Sequence, residues 1–144
     1  MSIMKTRGGI NHVDLNVTDP KRSAAFYDRI LGYMGYQRSR ISMPENPGHD
    51  WFASREGASR VSIGIVRAKS ATPHDRTATG LQHLAFHAES REDVDGLYRL
   101  LLEMKAVILD PPAEYPKYEP GYYAVFFLDP DGIKLEFVLW PEPK

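Results

Sequence analysis

The chain has 144 residues, 42% hydrophobic and 26% charged, with 18 Lys+Arg against 19 Asp+Glu for a formal net charge of −1. That length suits one compact domain with a full core, and the balanced charge gives no electrostatic case for nucleic acid or an anionic membrane as partner. With no cysteine there is no disulfide framework, thiol nucleophile or thiolate metal site, so any metal must be held by nitrogen and oxygen.

The N-terminal MSIMKTRGG lacks the apolar stretch of a secretory signal, and no apolar run approaches the roughly 20 residues a membrane helix needs, so a cytoplasmic location is expected. In INHVDLNV, Val13, Leu15 and Val17 alternate with His12, Asp14 and Asn16, the period of a half-buried strand. The next segment, TDPKRSAAFYDRILGYMG, reads as a helix. Asp19 is its N-cap, Pro20 its first residue and Phe26, Tyr27, Ile30, Leu31 and Met34 its apolar stripe, with Gly32 or Gly35 to end it. Short strands are expected at about 36–41, 50–55 and 60–67, with a proline-rich loop, SMPENPGHD, between the first two. A polar linker, AKSATPHDRTATG, follows.

The second half repeats this plan. LQHLAFHA sets Leu84, Phe86 and Ala88 against His83, Ala85 and His87. Ser90 and Asp93 make a loose capping box, and Val94, Leu97, Tyr98, Leu101 and Leu102 form one helical stripe. Strands are expected at about 106–109, 122–128 and 133–140, the last two joined by the tight turn DPDG. DPPAEYPKYEPG reads as a second proline-rich loop. GINHVDLNV aligns with GLQHLAFHA at a constant offset of 71 (80 − 9 and 83 − 12), which places His12 on His83 and Tyr27 on Tyr98. A unit this long, present twice, is a duplicated half-domain rather than a solenoid repeat. The fold class is α+β, built from two β-α-β-β-β modules at about 8–67 and 80–140, with linker 68–79, in one domain over 1–144.

Strand parity sorts the side chains. In the last strand Ile133, Leu135, Phe137 and Leu139 face the helices, while Lys134, Glu136 and Val138 face away. His12 and His83 lie on the corresponding non-helical faces. A carboxylate among aliphatic side chains needs a partner, and a divalent cation held by two imidazoles and one carboxylate would supply it and keep open positions for substrate. The plainer alternatives are half-exposed histidines and a surface Lys–Glu pair.

These residues resemble the vicinal oxygen chelate superfamily, which includes glyoxalase I, type I extradiol dioxygenases, fosfomycin-resistance enzymes, methylmalonyl-CoA epimerase and bleomycin-resistance proteins. NHVDLNVTDPKRSAAFYDRILGY, GLQHLAFHAESREDVDGLY and YYAVFFLDPDGIKLEFV carry the likeness, which spans nearly all of 9–139. The Asp-Pro-x-Gly turn leading into a strand glutamate is its most specific part. The resemblance implies paired modules forming an open, cup-shaped mixed sheet with helices on the outer face. It also implies one mononuclear divalent ion (Fe, Mn, Zn or Ni) on His12, His83 and Glu136, a small-molecule substrate and a possible homodimer. Whether the cup closes within one chain or across two is left open.

Departures from the family pattern bear on the reaction. Glyoxalase I and the epimerase place a fourth ligand in the last strand of the first module, where RVSIGIVRA offers only Ser62, Gly64 and Val66, and no metal-bound carboxylate to shuttle a proton. Dioxygenases and fosfomycin-modifying enzymes commonly carry a tyrosine three residues before the Asp of the turn; Phe126 stands there. A dioxygenase-like activity is preferred on ligand count. A glyoxalase-type lyase or isomerase and a non-catalytic drug or metabolite binder are the alternatives. His87, Tyr122 and Lys134 are candidate substrate contacts. The tyrosine-rich EYPKYEPGYY reads as a lid or a solvated loop, and Trp51 and Trp140 as packing residues.

Overall fold

The computed structural model describes residues 7–39, 49–54, 60–70 and 72–142. Two copies of one element order follow each other. The first is β1 (His12–Val17), α1 (Pro20–Tyr33), β2 (Gln37–Arg38), β3 (His49–Ala53) and β4 (Val61–Arg67). The second is β5 (Leu84–His87), α2 (Arg91–Glu103), β6 (Ile108–Glu114), β7 (Tyr123–Leu128) and β8 (Lys134–Leu139). Each set makes its own four-stranded mixed sheet, ordered β1-β4-β3-β2 and β5-β8-β7-β6. The pairs β1–β4 and β5–β8 are parallel and the rest antiparallel. The fold is α+β.

Local chemistry sets the helix ends. The Asp19 side chain accepts from the backbone N–H of Lys21 and Arg22, with Pro20 behind it where its missing N–H is harmless. Of the two expected terminators Gly35 does the work: its φ of 93° is the left-handed turn that follows the Met34 C-cap, while Gly32 stays helical. Ser90 Oγ accepts from Asp93 N–H at 3.1 Å, and Asp93 reaches back to Glu89 N–H at 3.0 Å, one residue earlier than in a standard capping box.

The main core lies between helices and sheets, with Tyr27, Ile30, Leu31, Trp51, Ile65, Leu97, Leu101, Phe127, Leu135 and Phe137 at 0–1% exposure. The halves are joined through it and at the surface beside it. Tyr27 Oη donates to buried Asp129 at 2.8 Å, Thr18 N–H donates to Asp131 at 3.1 Å and Arg22 pairs with Asp131 at 3.2 Å. Tyr33 Oη donates to the Asp93 carbonyl at 2.7 Å, in a notch left by Gly96.

One expectation changes. DPPAE was expected to be loop, yet β6 runs on through Pro111 and Pro112 to Glu114. It is the outer strand of its sheet and its register slips twice against β7, at an edge that tolerates residues without a ladder N–H. The end of the strand expected at 36–41, and loop residues 42–48, lie outside the described residues. Among the described residues no helix is long and apolar enough to cross a membrane.

Candidate functional site

Each sheet turns one face to its helix and leaves the other open. On the second sheet that open face is built from β7 and β8. Tyr122, Ala124 and Phe126 share it with Val138 in a small second cluster, while Tyr123, Val125 and Phe127 go to the main core, as parity requires. Glu136 sits in this face at 2% exposure. His83 lies one residue ahead of β5, and because β5 runs parallel to β8 its imidazole reaches the carboxylate, with Nε2 3.1 Å from Glu136 Oε1. The other His83 nitrogen, Nδ1, is engaged by Gln82, and the Tyr122 hydroxyl donates to Glu136 Oε2. Burial, followed by this bond to Glu136, raises the Tyr122 pKa, so the phenol stays protonated.

Around this trio is a cavity of about 740 Å³, of the size that takes a small molecule. His87 and Lys134 line it, the latter with its ammonium 4.7 Å from the Phe126 ring centroid. Tyr115, Lys117, Tyr118 and Trp140 also line it. Trp51 packs as expected, at 1% exposure with Nε1 donating to Asp28 at 2.8 Å, but Trp140 is 59% exposed at the cavity mouth. Tyr115, Tyr118 and Lys117 were visible in sequence only as members of a tyrosine-rich loop. What brings them to the site is a turn closed by Tyr115 N–H to the Tyr122 carbonyl at 2.9 Å and Tyr118 N–H to the Tyr115 carbonyl at 3.0 Å.

His12 lies elsewhere. It is exposed at the start of β1 and bonded to Asn11 at 2.8 Å, in a separate cavity of about 430 Å³ on the open face of the first sheet. Within one chain the structure brings His83 and Glu136 together and leaves His12 apart. Among the described residues no three His, Cys, Asp or Glu are grouped to hold a metal. The His12 cavity carries a feature that sequence reasoning missed. Gly64 pairs with Asp14 on one side and Asp50 on the other. A Cβ at Gly64 would lie 2.3 Å from Asp14 Oδ1 and 2.4 Å from Asp50 Oδ1. Position 64 has no carboxylate of its own, but the flanking strands bring two over it. Cross-strand register, which composition does not reveal, was the missing signal.

The donor set at Glu136 fits a divalent cation. Among the described residues its partners are one imidazole and one phenol, with no ammonium or guanidinium in ion-pair range. A carboxylate so buried calls for positive charge. Imidazole nitrogen and carboxylate oxygen are donors that zinc, iron, manganese and nickel all accept.

Comparison with known proteins agrees with this architecture. Residues 9–137 match the family model of the Glyoxalase/Bleomycin resistance protein/Dioxygenase superfamily. The chain is 33% identical over 132 residues to the uncharacterised protein YqjT of Bacillus subtilis (strain 168), covering 90% of this chain and 97% of that one. It is 26% identical over 128 residues to the metallothiol transferase FosB of Lysinibacillus sphaericus (strain C3-41), covering 89% and 79%. A candidate glyoxalase from Bacillus halodurans superposes with a TM-score of 0.75 at 33% identity, over 93% of this chain and 97% of that one. With the duplicated cupped fold and the match along nearly its whole length, the chain belongs to the Glyoxalase/Bleomycin resistance protein/Dioxygenase superfamily.

Proposed function

We propose that this protein is a divalent-metal-dependent enzyme acting on a small molecule with adjacent oxygens, and that two copies build each site. His83 and Glu136 come from one copy and His12 from the other, the whole chain forming one domain of the family. The observation that carries the reading is the buried Glu136 carboxylate, its Oε1 facing His83 Nε2 at 3.1 Å inside a ligand-sized cavity. The second copy is argued from the strand edges. Among the described residues β1 and β5 each have a sheet neighbour on one side only, and an open edge is a template for another strand. These are the edges that carry or adjoin His12 and His83.

When bound, the ion would act as a Lewis acid on the substrate oxygens. The chain's own residues do the rest. Tyr122 holds Glu136 Oε2 and so fixes the carboxylate's orientation. Phe126 offers an apolar wall with no proton to relay. His87 and Lys134 stand on the cavity wall as substrate contacts. The three-donor set, with no carboxylate at position 64, favours dioxygenase-like chemistry. A group-transfer reading has its own support in the 26% identity to a metallothiol transferase. Oxygen uptake over a catechol panel separates the two.

The test of the shared site is a mixing experiment. Protein purified without chelators should carry about one metal per chain, and His12→Ala and His83→Ala should each lose it. Mixing the two variants, unfolding and refolding them together should restore about half the metal of wild type in the heterodimer, where one complete set of donors is reassembled. No restoration on mixing would end the two-copy reading, and metal unchanged in His83→Ala would end the metal reading.

A further inference from the structure

We propose that the second-half cavity selects an aromatic acid with a hydroxylated ring, its acidic group at Lys134 and its ring oxygens toward Glu136. This rests on the small-molecule reading of the same cavity and goes on to name the ligand class.

Six of the fifteen residues lining the cavity are aromatic, against 11% aromatic in the whole chain. They are arranged as a wall rather than scattered. Tyr115 and Tyr118 stack with centroids 5.7 Å apart and an interplanar angle of 21°. Tyr118 meets Tyr122 at 5.3 Å, and Tyr115 meets Phe126 edge to face at 5.5 Å. The loop's internal hydrogen bonds keep these rings in place before any ligand arrives, so little ordering is left for binding to oppose. Trp140 also lines the cavity, its indole N–H donating to Glu119 of the same loop. Ring faces of this kind favour another flat ring in offset or edge-to-face contact.

The charge is placed to match. Lys134 and Lys117 each hold an ammonium over a ring, 4.7 Å from Phe126 and 5.1 Å from Tyr118, and among the described residues neither is paired with a carboxylate. Both are therefore available to an anion. Lys134 and Glu136 sit two residues apart on one face of β8, a spacing of about 6.8 Å along a strand. That is comparable to the length of a benzene ring with substituents at opposite ends. An aliphatic acid would leave the aromatic wall unused, and a neutral catechol would leave the lysines unused.

Trp140 gives the readout, since the only other tryptophan, Trp51, is buried at 1% exposure in the other half. The metal-loaded full chain is titrated with 3,4-dihydroxybenzoate, catechol and cyclohexanecarboxylate, following tryptophan fluorescence, with Trp140→Phe to assign the signal. Dihydroxybenzoate should bind at least about tenfold more tightly than either of the others. Lys134→Met should weaken dihydroxybenzoate toward the level of catechol and weaken catechol far less, and Lys134→Arg should restore most of the difference. Equal affinity for catechol and dihydroxybenzoate, equal affinity for the non-aromatic acid, or an equal loss of both ring ligands in Lys134→Met would each overturn the proposal. Metal content measured on the same samples keeps the two readings apart. A chain with metal but without acid preference refutes the ligand class alone, and one with acid preference but without metal refutes the metal reading alone.

Discussion

The two halves share a frame and differ on their open faces. Strand order, the parallel outer pair and a side-chain N-cap recur in both, yet different side chains line the inner surfaces. The first carries His12, Asp14, Asp50 and Ser62 beside Phe52 and Arg60, with Gly64 between the two aspartates. The second is aromatic, with one buried carboxylate. Repeat partners have diverged on the helix side as well: Tyr27 is fully buried against Asp129 while Tyr98 is only partly buried, and Leu31 is fully buried while Leu102 is 53% exposed. Packing against the sheet constrains the layer between helix and strands, and a change of even one methylene is felt there. The open face carries no such constraint, so one duplicated frame could acquire a donor-bearing polar cup and a ligand-lining aromatic one.

The comparison is most severely tested where the second half grips the first. Asp129→Ala removes the acceptor for Tyr27 Oη and for the backbone N–H groups of Asp131 and Ile133. Unmet buried donors cost about 1–3 kcal/mol each, so urea unfolding should show a loss of about 3 kcal/mol or more. Asp14→Ala on the open first face should stay within about 0.5 kcal/mol. Similar losses for the two would erase the distinction between joint and open face.

Glu136→Met comes next and should separate stability from function. Replacing a buried, imperfectly compensated carboxylate with an apolar side chain is expected to leave the metal-free protein as stable or up to about 1 kcal/mol more so, with metal retention lost. A loss of several kcal/mol would mean that Glu136 is there for the fold. Gly64→Ala should fall below about 1 kcal/mol, because the entropy gained by removing a strand glycine offsets the displacement of two exposed-face carboxylates. The carboxyl carbon-13 shifts of Asp14 and Asp50 should both move, and unmoved shifts would deny their approach over residue 64.

Much of this was legible before any coordinates. The helix caps at Asp19 and Ser90, the helical stripes apart from Leu102, which turns out to be exposed, and the parity that sends Tyr122 and Phe126 one way and Val125 and Phe127 the other are local properties of the chain, and the structure follows them. Meeting across elements was only half legible. His83 and Glu136 are adjacent because β5 and β8 pair in parallel, whereas strand parity alone placed them only on corresponding faces. The separation of His12 depends on how the two sheets sit in one chain, and that is decided by long-range contacts such as Tyr27–Asp129. Asp129 itself was read as a turn residue and family mark, and nothing local disclosed that it also receives a hydroxyl from a helix 102 residues earlier. The strand through Pro111 and Pro112 was illegible because proline reads as loop until the strand is known to be an edge.

The smallest expected effect is a slope with pH, and it belongs to the same joint. Burial raises the Asp129 carboxyl above the ordinary aspartate range, outweighing the lowering from the Ile133 N–H, the Tyr27 hydroxyl and the Asp131 N–H. A carboxyl whose folded pKa is raised binds more protons in the native than in the unfolded chain across the interval between the two values. Stability therefore falls as pH rises through that interval. The contribution is fully present below the ordinary aspartate pKa and gone above the raised one. Asp129→Asn keeps an oxygen for the two backbone N–H groups, both of which bond Oδ1, but does not titrate. The stability of wild type relative to Asp129→Asn, from urea unfolding at matched ionic strength, should thus decline from acid toward neutral pH and then level off. A difference that rises over the same range would show that the hydrogen bonds from Tyr27 and the turn outweigh burial, and that the joint is held by an ionised carboxylate.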